Sequence, residues 1–203
     1  MNYQILHEIT FYVMYLAVGL ATFVIGERLI FYAFTLRQAR TLESLLISAG
    51  GATDQVVDQL ESRMSVPVDA LRRMVAARPL MRTRHEQEDI SEAIYLSLKA
   101  KLQRHLWILD TVVTAAPLLG LLGTILGIIE TFSALAQSGI SDPASISAGI
   151  GTALFATALG IAIALYGLIF FNLFQVRVER IDEHLRIILL HAGLGGSDAR
   201  NGE

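Results

Sequence analysis

Thr111-Val-Val-Thr-Ala-Ala-Pro-Leu-Leu-Gly-Leu-Leu-Gly-Thr-Ile-Leu-Gly-Ile-Ile129 runs nineteen residues without a charge, between Asp110 and Glu130. A helix needs about 20 residues, at about 1.5 Å each, to cross a hydrocarbon core of roughly 30 Å. Two further runs meet the same requirement. Ile9 to Gly26 holds eighteen uncharged residues, then passes Glu27-Arg28 and continues apolar to Leu36. Pro143 to Val176 carries no charge at all. Three apolar runs of spanning length are hard to hide in a soluble core of a 203-residue chain. The composition agrees: 53% of residues are hydrophobic and 17% charged, where soluble domains carry about a quarter charged. The expectation is an all-α membrane protein with three transmembrane helices. The first run does not read as a secretory signal, because nothing basic precedes it and no small-residue cleavage site follows.

Orientation follows from the sixteen Lys and Arg residues, since basic residues near span ends resist translocation. None lies in 1–27 or 105–176, nine lie between Arg63 and Arg104, and Arg177, Arg180 and Arg186 follow the third run. The N-terminus is therefore expected outside and the C-terminus in the cytoplasm. The segments expected are a first span at 1–36, a cytoplasmic helical segment at 37–105 and a second span at 106–136. An outer hairpin at 137–146, a third span with its cytoplasmic extension at 147–190, and a disordered tail at 191–203 complete the chain. Within the polar segment Gly50-Gly51 ends a helix, 53–62 is amphipathic, and Ser65-Val-Pro67 restarts a helix with proline in its first turn. Arg78-Pro79 ends that helix. Ile90, Ile94, Leu98 and Leu102 share one face of the next, which no stop signal separates from the second span. Val178, Ile181, Leu185 and Ile188 form the stripe of the last extension.

Composition also narrows function. The net charge is −3, and no basic patch interleaves with aromatics as a nucleic-acid surface requires. The chain has no cysteine, and its five histidines show no metal-ligand spacing, so neither a metal nor a cofactor is expected. No Ser/His pair, paired Asp or metal triad lies within the spans, which disfavours an intramembrane enzyme.

Two patterns inside the spans stand out. Gly120, Gly123 and Gly127 recur at helical spacing in the second run, and Gly149, Ala153, Ala156 and Gly160 in the third. Lipid gives no hydrophobic drive for helix association, so small residues let backbones approach and gain dispersion. Close packing of helices or of subunits is the plain reading of both stripes. Thr124 lies seventeen residues before the hairpin centre near residue 141 and Thr157 sixteen after it, hence at similar depth. An isolated membrane threonine bonds back to its own helix; two at one depth can instead make a polar ring when subunits repeat about an axis. The same count pairs Glu130 with Thr152, eleven residues either side of that centre. Glu130 is either an interfacial carboxylate or an acid on an ion path, and Glu27 with Arg28 reads as the mark of the cytoplasmic interface.

Ala116 to Ile128 fits the pattern APxxGLxGTxxGI, and Gly149 to Ile161 fits GIxEALxxTAxGL except at Thr152 and, conservatively, at Ile161. These motifs and the three-span architecture resemble the MotA/TolQ/ExbB proton channel family, and the short N-terminus leans toward its ExbB members. The resemblance implies a homopentameric ring in a bacterial inner membrane, with an ExbD- or TolR-like single-span partner in its pore. It implies work on a TonB- or TolA-like transducer, with membrane lipid around the ring. Thr124 and Thr157 fall on the threonines that line the ion path, and Pro117 on the motif proline, where the carbonyl of Val113 loses its donor and a kink is expected. Thr152 stands where many members carry a glutamate, whose role does not transfer; Glu130 is a candidate substitute. Four-span flagellar stators fit less well. A TolQ-like envelope subunit and a non-conducting scaffold are the competing readings.

Overall fold

The computed structural model describes residues 3–48, 65–81, 83–138 and 143–194. The expected amphipathic stretch at 53–62, the Gly50-Gly51 break, the middle of the hairpin and most of the tail lie outside the described residues. Among the described residues the elements are helical: α1 (Tyr3–Ser48), α2 (Val66–Ala77), a 3-10 turn (Arg78–Leu80), α3 (Arg84–Gln103), α4 (Leu106–Ser138) and α5 (Pro143–Leu194). Helices α1, α4 and α5 are each long and apolar enough to cross a membrane, as the three runs predict. At about 1.5 Å per residue the 52 residues of α5 extend far beyond a core of roughly 30 Å.

The chain divides into two compact units, one of residues 1–27 and 105–173 and one of residues 28–104 and 174–203. The first is built inside out relative to a soluble core. Ala116, Ala153 and Ala156 are at most 1% exposed, whereas Leu118 is 67% and Phe155 58% exposed. Small residues face the neighbouring helix and large apolar ones face outward, the arrangement that lipid as a solvent favours. Helix α4 continues unbroken through Pro117.

The second unit has an ordinary hydrophobic core. Phe174, Val178, Ile181, Leu185 and Ile188 are buried at alternating spacings of four and three, as are Leu98 and Leu102 of α3 and Leu71 and Met74 of α2, and Tyr95 of α3 donates to Asp182 of α5 at 3.2 Å. Ile90 and Ile94, expected on that face of α3, are only partly buried, and Tyr95 is buried beside Leu98 instead. Helix α2 starts after Ser65 with Pro67 in its first turn. Helix α3 starts with a capping box, in which Thr83 Oγ1 accepts from the Glu86 amide at 3.2 Å and the Thr83 amide donates to Glu86 Oε2 at 2.8 Å.

Two boundaries differ from the sequence expectation. Helix α3 does not run unbroken into the second span: Arg104 turns extended (φ −55°, ψ 135°) and His105 takes a left-handed φ of 73°. Neither glycine nor proline announces this break, and histidine is among the side chains that tolerate left-handed backbone. The end of α3 is held from the side, since the buried Tyr32 hydroxyl donates to the Leu102 carbonyl at 2.7 Å, in the turn whose carbonyls lack helical partners. Helix α5 runs to Leu194 rather than stopping near Leu190. Arg78 explains this: its Nε and Nη2 donate to the Ala192 carbonyl at 3.2 and 2.9 Å, satisfying the last turn.

Asp69 ties α2 to α3, accepting from Arg73 Nε at 2.9 Å and from Lys101 Nζ at 2.8 Å. Burial pushes its carboxyl up, but the hydrogen bonds from Lys101 and Arg73, with their charges, outweigh that and hold it below the usual 3.8. A depressed carboxylate contributes stability above its unfolded value and loses it as pH falls through the folded one. Asp69→Asn should therefore cost up to about 1 kcal/mol near neutral pH, as half-exposed pairs do. The difference should close as the pH is lowered past 3.8. Thermal melts of both proteins across that range check it, and a pH-independent gap would contradict it.

Candidate functional site

The small-residue stripes of α4 and α5 meet within the first unit. A Cβ placed on Gly160 would lie 2.5 Å from the Ala116 carbonyl oxygen and 3.0 Å from Gly120 Cα. One placed on Gly120 would lie 2.9 Å from the Ala156 carbonyl oxygen. The backbones thus cross in direct contact, with no room for any side chain at either position. Gly123 faces Ala156 and Gly127 faces Ala153 along the same seam, while Gly149 abuts Thr131. These close approaches all lie within one chain.

The crossing brings Thr124 and Thr157 together. Their hydroxyls are hydrogen-bonded to each other. Thr124 Oγ1 also lies 3.0 Å from the Ala153 carbonyl and 3.1 Å from that of Gly120, which Thr157 Oγ1 approaches at 3.2 Å. Each hydroxyl has one proton to donate and two lone pairs to accept with. Two complete arrangements exist: Thr157 donates to Thr124, which donates to the Ala153 carbonyl; or Thr124 donates to Thr157, which donates to the Gly120 carbonyl. Reversing the chain moves no heavy atom. In either arrangement both protons are committed and lone pairs remain, on Thr157 in the first and on Thr124 in the second; the pair donates to a guest by releasing one of the two carbonyls. The contact from Thr124 to the Gly120 carbonyl has the ordinary i−4 geometry of a membrane threonine, and it competes with the bonds between helices for the single Thr124 proton.

Glu130 and Thr152 line one cleft of about 600 Å³, together with Thr131, Ser145, Gly149 and His7. The Thr152 hydroxyl donates to the Ala148 carbonyl at 3.0 Å and that of Thr131 to the Gly127 carbonyl at 2.8 Å, both within their own helices. His7 was not singled out by the sequence reading. It is 9% exposed, and its Nδ1 lies 3.5 Å from Glu130 Oε2. Its signal lies in the buried stripe of α1, where His7, Thr10, Met14 and Ala21 recur at helical spacing, with His7 first. Glu27 and Arg28 have unlike surroundings. Glu27 Oε2 is 3.6 Å from His105 Nδ1. Arg28 is 4% exposed, with its guanidinium 4.8 Å above the Phe31 ring.

Residues 54–187 match the model of the MotA/TolQ/ExbB proton channel family. The chain is 43% identical over 83 residues to the biopolymer transport protein ExbB of Aquifex aeolicus, covering 41% of this chain and 55% of the relative. It is 39% identical over 92 residues to ExbB of Helicobacter pylori (45% and 63%). It is 34% identical over 97 residues to the Tol-Pal system protein TolQ of Pseudomonas aeruginosa (46% and 42%). The matched stretch is thus less than two thirds of each relative's length.

The seam predicts a sharp contrast between glycines. Gly160→Ala should destabilise the purified protein in detergent by about 1–3 kcal/mol, the usual cost of overpacking a tight contact. Gly19→Ala should not, because a Cβ there meets nothing within 4 Å. Thermal unfolding of the two variants checks this, and equal stability would mean the helices separate freely.

Proposed function

The chain belongs to the MotA/TolQ/ExbB proton channel family, and from that premise we propose that it is a proton-conducting subunit of an inner-membrane motor of the ExbB/TolQ kind. The observation that carries this reading is the Thr124–Thr157 hydroxyl pair at the Gly120/Gly160 crossing. A hydroxyl pair that offers lone pairs to a protonated carboxyl, and a proton to an ionised one once a carbonyl is released, suits a carboxylate that alternately gains and loses a proton. That carboxylate would belong to a single-span ExbD- or TolR-like partner, in a pore enclosed by a ring of five copies. Glu130 and Thr152, on their shared cleft, would complete the ion path.

The orientation supported by the Lys and Arg distribution puts the N-terminus outside and the C-terminus in the cytoplasm. The cleft then opens toward the outer side. A proton crossing inward carries about 2.3 kcal/mol per 100 mV. In our reading that energy drives a TonB-like transducer, which energises outer-membrane uptake. The match to TolQ keeps a Tol-type role in envelope maintenance as the second reading. Thr152 in place of an acid favours a third, a scaffold that conducts nothing.

Thr157→Val keeps shape but removes donor and acceptor together. Hydrogen bonds to charged groups contribute about 1.5–3 kcal/mol, so proton flux in liposomes holding the complex with its partner should fall at least about tenfold. Native mass spectrometry should still find five copies of the variant. Undiminished flux in the Thr124→Val/Thr157→Val double variant would remove the pair from the path, and a stable monomer or dimer would remove the ring.

A further inference from the structure

The imidazole of His7 is the least satisfied ionisable group of the first unit. Nε2 is buried without a hydrogen-bond partner, Nδ1 is 3.5 Å from Glu130 Oε2, and the ring meets Phe11 edge-on at 5.2 Å. The Glu130 side chain is 35% exposed, and the two residues share the wall of the same cleft of about 600 Å³. That is room for several waters, each of which needs polar partners. Thr131 and Thr152 have committed their protons to their own helices, so they turn lone pairs toward the cleft. A cleft walled by a carboxylate, an imidazole and hydroxyl lone pairs favours an added positive charge.

Charge accounting gives the site its chemistry. Among the described residues, α1 brings His7 and the exposed Glu8, Tyr12 and Tyr15 to this part of the unit, and α4 brings Glu130. Helix α5 brings no charge between Pro143 and Val176. Asp142 lies outside the described residues. Neutral His7 beside ionised Glu130 carries one net negative charge among apolar helices, and that charge is costly to bury. One added proton makes the pair neutral overall, whether as imidazolium with carboxylate or imidazole with carboxylic acid.

We infer that His7 and Glu130 together form a one-proton store at the mouth of the cleft. The store takes its proton from a hydronium ion in the cleft, leaving water behind, and gives it up by the reverse step. His7 is thus the second half of the acid site, an inference that rests on reading Glu130 as part of the ion path. It also accounts for the dispensable acid at Thr152: a carboxylate on α4 with an imidazole on α1 serves the same cleft that a carboxylate on α5 would.

The test is nuclear magnetic resonance of the full chain in lipid nanodiscs, with histidine nitrogens and glutamate carboxyl carbons labelled. His7 is identified by its loss in His7→Gln and Glu130 by its loss in Glu130→Gln. In the unaltered chain both groups should titrate with one common midpoint, because a proton shared by two coupled groups belongs to the pair. In Glu130→Gln the His7 midpoint should move, because the group that shares its proton is gone. Separate midpoints, or an unmoved His7 in Glu130→Gln, would overturn the store. The coupling is reciprocal, so if one variant fails to fold the other reads it. The measurement needs no partner, gradient or client. A common midpoint without proton flux in the complex would keep the store and remove the motor, and the converse result would do the opposite.

Discussion

Contact between the backbones of α4 and α5 at Gly120 and Gly160 is the constraint from which the rest of the first unit follows. In lipid, burying a leucine against a leucine gains little that the lipid tails do not already offer. Association must come from dispersion at close range and from polar groups that find each other. The absence of a side chain at Gly120 and Gly160 permits both: the backbones touch, and the Thr124 hydroxyl reaches the Ala153 carbonyl of the other helix at 3.0 Å. Any residue large enough to separate the helices would leave the two threonines with only their own i−4 carbonyls. Packing and polar chemistry are thus one feature of this seam.

Much of this was legible in the sequence, because helix periodicity and helix rise are fixed. Counting from the hairpin puts Thr124 level with Thr157 and Glu130 level with Thr152, and the structure brings the first two into contact and the second two to one cleft. What stayed illegible depended on contacts between distant segments. The break at His105 carries no glycine or proline, and the bond from Tyr32, seventy residues earlier than Leu102, holds the end of α3. The last turn of α5 continues because Arg78 reaches Ala192. His7 was passed over because a lone histidine near a chain end carries no motif; only its place on the packed stripe of α1 reveals it.

The hydroxyls of the first unit divide into two kinds. Thr10, Thr131 and Thr152 each donate to the carbonyl four residues earlier, which removes a polar group from lipid at little cost and says nothing about function. Thr124 and Thr157 have the same option and also bond across the helix boundary. Hydroxyls that are satisfied in more than one way are free to exchange partners. The two protons can then reverse direction without leaving either hydroxyl unpaired.

The same reasoning bears on why an acid can change helix. A carboxylate that serves a water-filled cleft needs the right depth and the right wall, and neither requirement names a particular helix. Thr152 and Glu130 border one cleft from opposite helices. An acid moved from the former position to the latter keeps its water and its depth, but it acquires a new neighbour from α1. At Thr152 the hydroxyl is tied to Ala148 within its own helix. At Glu130 an imidazole, which can itself carry a proton, lies 3.5 Å away. Moving the acid therefore does more than preserve a charge in place. In the store we infer, two groups that share one proton stand in place of a single one, and the first helix, which in a simple packing role would only brace the other two, enters the chemistry of the cleft.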